Sequence, residues 1–193
     1  MKNAISIAIL LLAFTTSALA QKGFEVQKEI TINVPASELW DMVGPGFEDV
    51  HVWASTVNHS EGSGSPEFSG ATCSERTCKV NLAGFDQISE KLYKYDEATM
   101  NLAYEVNSGM PKFVTRAAND WKVVAIDENT SKLVMNAEFE TKGFMGGLMR
   151  GMMKSKMNRT LDDILNDAKI YAETGRVSKL KAKKVKKFQK KTA

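Results

Sequence analysis

The polar residues that could carry out proton transfer in predicted strands are Arg116, Asn119, Asp120 and Glu138. Acid–base catalysis requires such groups at a buried site with suitably shifted pKa values. Strand alternation predicts instead that Arg116, Asp120 and Glu138 face solvent. Histidine, the commonest proton carrier, occurs only at His51 and His59, near a predicted rim. The chain also lacks a nucleophile elbow and a phosphate-binding glycine loop, so we predict no catalytic residue.

A second group of polar residues could hold a metal ion. The group consists of Glu48, Asp49, His51 and His59. These residues fall in a predicted turn region and lack the spacing of two histidines on one helix face that zinc enzymes use. We therefore expect them to be solvated, and we predict neither a metal site nor a cofactor.

The N-terminus has the pattern of a secretory signal peptide. Lys2 supplies a positive charge, Ala4–Phe14 is an uncharged apolar run, and Ala18-Leu19-Ala20 is a small-x-small cleavage site. The run is shorter than the roughly 20 residues that a transmembrane helix needs. We predict cleavage after Ala20, so that residues 21–175 form one exported domain.

The chain contains two cysteines, Cys73 and Cys78, whose spacing is not that of a CxxC zinc or redox pair. In an oxidising compartment two thiols commonly form a disulfide. Five extended residues would separate their Cα atoms by roughly 17 Å, which is too far for a bridge. We predict a Cys73–Cys78 disulfide, which requires the chain to turn at residues 74–77.

Residues 176–193 form a basic tail. It contains nine of the 26 lysines and arginines and no acidic residue, so the rest of the chain is net acidic. Such a charge run is typically a disordered, solubilising segment, which is our prediction here. Contact with an anionic membrane surface is the alternative. The net negative charge of the rest of the chain argues against nucleic-acid binding by the tail, and we predict none.

The body of the chain is predicted to be mostly strands. Apolar and polar residues alternate in several segments that are separated by glycine, proline and acidic turns. One short helix, Pro35–Val43, follows the first strand, and Glu61–Gly70 is predicted to be a loop. The predicted strands are Glu29–Val34, Trp53–His59, Arg76–Leu82, Asp86–Lys94, Met100–Val106, Lys112–Ile126 and Lys132–Thr141. Short turns between them indicate an antiparallel meander.

One long helix, Gly143–Thr174, is predicted at the end of this body. Methionine and leucine recur there at three- and four-residue intervals, and Gly175 is placed as a C-terminal cap. Gly146, Gly147 and Gly151 weaken a helix by up to about 1 kcal/mol each relative to alanine. Their presence indicates close backbone approach or a deformable cavity mouth.

Several segments resemble the START-like (SRPBCC) superfamily, and in particular its polyketide cyclase/dehydrase and lipid-transport branch. The opening segment Ile30–Trp40 carries the resemblance, and Arg76–Cys78, Ile88–Asp96 and Leu102–Val106 follow in the same order. The resemblance covers roughly Glu25–Thr174. It implies an α+β helix-grip fold, in which a curved antiparallel sheet wraps around a long C-terminal helix and encloses a cavity for an apolar ligand.

A ligand-binding cavity is predicted between the sheet and the helix. If the strand residues face inward, they oppose methionines of the helix, whose flexible side chains adapt to irregular ligands. The predicted ligand-binding residues are Trp53, Tyr104, Asn119, Trp121, Met135, Phe139, Met149, Met152 and Met153. Packing of the same side chains into a solid core is the alternative.

These observations predict an exported, periplasmic or secreted, monomeric protein that binds a hydrophobic small molecule or lipid without catalysis. One alternative is an enzyme similar to polyketide cyclases and dehydratases that uses the same cavity. Another is an envelope interaction module that acts through the basic tail.

Overall fold

The computed structural model of the chain describes residues 22–82 and 85–192. The predicted signal peptide lies outside these residues. The described part contains an antiparallel sheet and four α-helices. The strands are β1 (Lys22–Ile32), β2 (Val57–Ser63), β3 (Glu75–Leu82), β4 (Phe85–Asp96), β5 (Asn101–Ser108), β6 (Val114–Asp127) and β7 (Thr130–Thr141). The helices are α1 (Ala36–Val43), α2 (Val50–Trp53), α3 (Gly143–Thr174) and α4 (Lys179–Thr192), and a 3₁₀ turn spans Pro45–Asp49.

The seven strands form one sheet in the order β1-β7-β6-β5-β4-β3-β2, with every neighbouring pair antiparallel. Alternate residues are buried along the whole length of strand β7. Because successive side chains of a strand point to opposite faces, one face of the sheet forms the core. The inward-facing set of β7 includes Leu133, Met135, Ala137 and Phe139. The predicted meander and the α+β helix-grip fold are confirmed.

Helix α3 has the predicted bounds, Gly143–Thr174. Gly175 adopts a left-handed conformation with φ of 65°, and its N–H donates to the carbonyl of Tyr171. This is the predicted glycine cap, which a residue without Cβ adopts at no steric cost. The C-terminal half of α3 packs onto the sheet through Leu161, Leu165 and Ala168, all of which are buried.

The predicted strand Trp53–His59 is wrong at its start. Residues Val50–Trp53 form helix α2, in which the N–H of Ala54 donates to the carbonyl of Val50, and β2 begins only at Val57. An apolar run this short does not distinguish a strand from a helical turn by periodicity. Strand β2 then continues to Ser63, into the predicted loop Glu61–Gly70.

The predicted Cys73–Cys78 disulfide is not formed. Both cysteines are free and buried, and β3 begins at Glu75. The segment that would have to turn is therefore largely extended. Cys78 is instead a strand residue opposite Ile88 of β4.

The basic tail differs from the predicted disordered segment, because Lys179–Thr192 forms helix α4 against the domain. Ser178 and Lys181 are buried at its start. The hydroxyl of Ser178 donates to the buried carboxylate of Asp167, and the Lys181 ammonium donates to the carbonyl of Val57 at 2.7 Å. The run of positive charge in this segment predicts that it is solvated. The contacts of Ser178 with α3 and of Lys181 with β2 instead attach it to the rest of the domain. None of the helices in the described residues is long and apolar enough to cross a bilayer.

Candidate functional site

A cavity of about 560 Å³ lies between the sheet and α3. This volume is in the range of about 300–1,000 Å³ that is typical of small-molecule sites. Its sheet wall includes Phe24, Val57, Val80, Ile88, Tyr104, Val106, Asn119, Trp121 and Phe139. Its helix wall includes Met149, Met152, Met153, Met157, Leu161 and Ile164.

Aromatic side chains form the rigid part of the sheet wall. The rings of Phe24 and Phe139 stack with centroids 5.0 Å apart, and Tyr104 meets Trp121 edge-on at 5.8 Å. Trp53 supports this wall from α2, with its ring centroid 6.2 Å from that of Trp121. Such contacts hold each ring in place and preserve the shape of the wall.

The helix wall runs from Met149 to Ile164 of α3. The N-terminal half of α3 packs against the sheet much less closely than the C-terminal half. Phe144 is 83% exposed and Leu148 is 63% exposed, and Met145 and Met152 are also exposed. Flexible methionines therefore oppose rigid aromatic rings across the cavity. This combination allows the wall to adjust to guests of irregular shape.

A polar cluster interrupts the apolar lining on the β3–β4 side. Arg76 and Glu90 face each other across these strands, and Arg76 Nε donates to Glu90 Oε2 at 2.5 Å. Arg76 Nη1 donates to the carbonyl of Phe47 at 2.6 Å, and its guanidinium lies 3.9 Å from the centroid of the Phe47 ring. The buried charges thus have a partner and additional contacts, as burial requires.

Arg76, Cys78 and Tyr104 keep their protons near neutral pH. Burial raises the pKa of the Cys78 thiol to about 12 and raises that of Tyr104 well above its ordinary value. Burial has the largest effect on Arg76 and lowers its pKa, but the charge effects of Glu90, Cys78 and Tyr104 together with the hydrogen bond to Glu90 raise that pKa above its ordinary value. Neither Cys78 nor Tyr104 is therefore a base or nucleophile at pH 7, because the reactive forms are the deprotonated ones.

Seven of the nine predicted ligand-binding residues line the cavity: Tyr104, Asn119, Trp121, Phe139, Met149, Met152 and Met153. The other two, Trp53 and Met135, are buried but do not belong to this lining. Trp53 stands behind Trp121, and Met135 is fully buried in β7. Their contact with a ligand stays a prediction, as does that of the seven lining residues.

The other polar residues singled out from the sequence lie away from the cavity. Arg116 forms an ion pair with Glu138 at 2.5 Å on the outer face of the sheet, and Asp120 accepts a hydrogen bond from Asn101 at 2.7 Å. His51 Nδ1 lies 2.8 Å from Ser60 Oγ, and burial together with His59 lowers the pKa of His51. None of these residues belongs to the cavity lining. Among residues 22–82 and 85–192, no group of three acidic, histidine or cysteine residues is arranged to bind a metal ion.

Sequence reasoning missed Arg76, Glu90 and Lys184 as lining residues. A signal for Arg76 was present, because it alternates with Cys78 and Val80 in β3, and these three residues share one face. Glu90 could have been found from the register of β3 with β4. Lys184 had no comparable signal, since its position depends on how α4 docks.

The chain belongs to the polyketide cyclase/dehydrase and lipid transport family, whose model matches residues 23–168. The predicted family resemblance is therefore confirmed. No curated protein sequence shows significant similarity to the chain.

Several solved structures share the fold of this chain. A START superfamily protein from Mycobacterium smegmatis has a TM-score of 0.65 at 16% identity, and the match covers 79% of this chain and 99% of that one. The Zhui aromatase/cyclase from Streptomyces sp. R1128 has a TM-score of 0.63 at 16% identity, covering 81% and 100%. Norcoclaurine synthase from Thalictrum flavum, in complex with dopamine and hydroxybenzaldehyde, has a TM-score of 0.61 at 13% identity, covering 90% and 98%. At these identities the similarity shows a shared fold.

Proposed function

We propose that this chain is a monomeric binding protein that holds a hydrophobic small molecule or a lipid in the cavity, without catalysing a reaction. The observation that carries the proposal is the cavity itself, which has aromatic rings on one wall and methionines on the other. The buried ion pair of Arg76 and Glu90 is internally compensated. It therefore does not require a charged group from a ligand.

The expected affinity is modest. A guest that loses roughly 400 Å² of apolar surface gains at most about 10 kcal/mol from burial. Association and the ordering of flexible methionines reduce this gain by several kcal/mol. The remainder corresponds to dissociation constants in about the micromolar range.

A fluorescence titration with N-phenyl-1-naphthylamine (NPN), a neutral apolar probe, tests the proposal. Val106→Trp adds a large side chain to the cavity wall, whereas Val124→Trp adds the same side chain on the outer surface, where Val124 is exposed. We expect the wild type and Val124→Trp to bind NPN and Val106→Trp to lose most of the binding. A wild type that does not bind NPN, or equal binding by both variants, would reject a cavity-binding function.

A cyclase- or dehydrase-like enzyme is the second candidate, because a carboxylate and a guanidinium lie on the cavity wall at Glu90 and Arg76. Such reactions begin with removal of a proton next to a carbonyl group. Deuterium exchange at the α-carbon of 1-tetralone in heavy water, followed by NMR, measures this step directly. We expect no acceleration over buffer. Acceleration that disappears in Glu90→Gln and persists in Glu138→Gln, a control outside the cavity, would establish the enzyme instead.

Export is proposed from the sequence of residues 1–20, which has the three parts of a signal peptide. Expression of the full chain in a bacterium, followed by intact-mass measurement of the periplasmic fraction, tests it. The expected product begins at Gln21. A cytoplasmic product that retains residues 1–20 would contradict it.

Contact with an anionic membrane is proposed for the outward face of α4, where Lys183, Lys186, Lys187 and Lys190 are exposed. Each lysine near such a surface contributes about 1 kcal/mol. We expect co-sedimentation with vesicles of phosphatidylglycerol and none with vesicles of phosphatidylcholine. Equal sedimentation with both would exclude an electrostatic contact.

A further inference from the structure

One edge of the cavity is basic. Lys156 and Arg159 of α3 line the cavity and are also exposed to solvent. Met152 on the same helix has both properties too. A lining residue that is also exposed lies at the opening, so these side chains define the mouth. Lys156 and Arg159 are three residues apart and are therefore neighbours on the surface of α3.

A third cation at this mouth comes from α4. Lys184 lines the cavity and is half-buried. It lies outside residues 23–168, which match the family model. Its position follows from the anchoring of the first turn of α4, where the Lys181 ammonium donates to the carbonyl of Val57. The helix added to the family domain thus contributes directly to the cavity.

The charges at the mouth do not cancel. Asp163 is the acidic lining residue near Lys184. The mouth therefore has three cationic side chains and one carboxylate. In the described part of the chain, no side-chain hydrogen bond or salt bridge involves Lys156, Arg159 or Lys184. Deeper in the cavity, Arg76 and Glu90 neutralise each other. The cavity is therefore apolar and electrically balanced inside and positively charged at its opening.

We propose that the ligand is an amphiphile with a negatively charged head, and that Lys156, Arg159 and Lys184 bind this head while the hydrocarbon part occupies the cavity. The inference rests on the proposed binding function and adds the chemical class of the ligand. A carboxylate or a phosphate fits this site, because an arginine fork pairs with either group and lysines add charge. In the opposite orientation, the hydrocarbon part of the ligand would lie at the mouth. Lys156, Arg159 and Lys184 would then have no anionic partner from the ligand.

Competition for bound NPN tests the proposal with ligands of one chain length. Dodecanoate, dodecanol and dodecylamine share a twelve-carbon chain and have a negative, a neutral and a positive head group, respectively. We expect dodecanoate to compete about tenfold better than dodecylamine, with dodecanol between them, and a tenfold change corresponds to about 1.4 kcal/mol. Dodecyl phosphate separates the two anionic heads: stronger competition than dodecanoate assigns a phosphate, and equal or weaker competition assigns a carboxylate.

The triple variant Lys156→Gln, Arg159→Gln, Lys184→Gln removes the positive charge at the mouth. We expect it to lose most of the preference for dodecanoate over dodecylamine, measured as the ratio of the two competition constants, whatever its own affinity for NPN. The matched triple variant Lys79→Gln, Lys122→Gln, Lys190→Gln removes three exposed lysines away from the cavity lining and should keep the preference. If the preference is absent in the wild type or survives in the first variant, the proposal is overturned.

Salt provides a second measurement that needs no variant. Raising sodium chloride from about 20 mM to about 500 mM shortens the Debye length several-fold. The ratio between dodecanoate and dodecylamine in the wild type should fall, because the mouth is open to solvent, and a constant ratio would contradict the proposal. A wild type that takes up no NPN at all would reject the binding function itself, whereas NPN binding without a charge preference would reject only the anionic head.

Discussion

The C-terminal half of α3 carries the buried leucines of the helix, whereas its N-terminal half contributes methionines to the cavity wall. Leu165 is 3% exposed and lies in the core cluster, but Leu148, the same residue type on the same helix, is 63% exposed. Both halves carry apolar residues at helical spacing. The difference shows that one amphipathic pattern can stabilise the fold in one segment and leave room for a ligand in the next.

The largest expected effect is on stability, from leucine substitutions in the two halves. Leu165→Ala removes a buried side chain and should lower the free energy of unfolding by about 2–5 kcal/mol. Leu148→Ala removes an exposed one and should change it by no more than about 0.5 kcal/mol. Urea denaturation of the two variants measures both values. Equal losses would mean that the N-terminal half is also part of the core.

Two aspartates sharpen the same comparison within the C-terminal half. Asp167 is fully buried and accepts hydrogen bonds from the Ser55 N–H at 2.7 Å and from the Ser178 hydroxyl. Asp167→Ala removes both acceptors and should destabilise the protein by about 1–3 kcal/mol per bond lost. Asp162 is a more exposed residue that pairs with Lys28, and Asp162→Ala should cost at most about 1 kcal/mol. Thermal unfolding of both variants compares them, and a similar loss for both would show that Asp167 does not hold α4 in place.

Alanine substitutions of two glycines in the N-terminal half of α3 should change the stability by smaller amounts and in opposite directions. A methyl group at Gly146 would lie 2.8 Å from Cβ of Thr141, whereas one at Gly147 would meet no atom within 4 Å. Gly146→Ala should therefore destabilise the protein by about 1–3 kcal/mol through overpacking. Gly147→Ala should stabilise it by up to about 1 kcal/mol through helix propensity. Chemical denaturation determines both signs, and stabilisation by Gly146→Ala would show that α3 does not approach Thr141 closely.

A further expected effect is a pH dependence that arises from α4. Burial lowers the pKa of Lys181 from 10.5 to about 8, against the opposing effect of Asp167. Between these two values the unfolded chain binds more protons than the folded one, so stability contributed by this group rises with pH. Below pH 8 the full cost of burying the charge is present.

Lys181→Met removes the titrating group and retains the length of the side chain. The stability of the wild type should therefore rise relative to that of the variant as the pH increases from 8 towards 10.5. Urea denaturation midpoints across this range measure the difference. Parallel pH profiles for the two proteins would show that Lys181 is not buried as a charge.

The regular elements could be predicted because their patterns are local. Strict alternation in β7, the three- and four-residue spacing of α3 and the glycine cap at Gly175 each depend on neighbouring residues alone. The predicted strand at Trp53 was wrong because the short segment Val50-His51-Val52-Trp53 fits a helical turn as well as a strand. The disulfide was wrong because strand pairing, which extends residues 75–78, is not visible in the spacing of two cysteines.

The site could be predicted only in part. Aromatic and methionine residues that line the cavity follow from strand and helix periodicity. The pairing of Arg76 with Glu90 depends on the register between β3 and β4, and that register contains an irregularity. The position of Lys184 depends on contacts that Ser178 and Lys181 make with distant residues. Long-range contacts of this kind leave no periodic signal in the sequence.

Methionine methyl NMR during titration with NPN tests the central claim most directly. In the protein labelled with ¹³C at methionine methyl groups, the signals of Met110, Met149, Met152, Met153 and Met157, which line the cavity, should shift. The signals of Met42 and Met100, which do not line it, should stay in place. Shifts confined to the second group, or no shifts at saturating NPN, would contradict a ligand-binding cavity beneath the N-terminal half of α3.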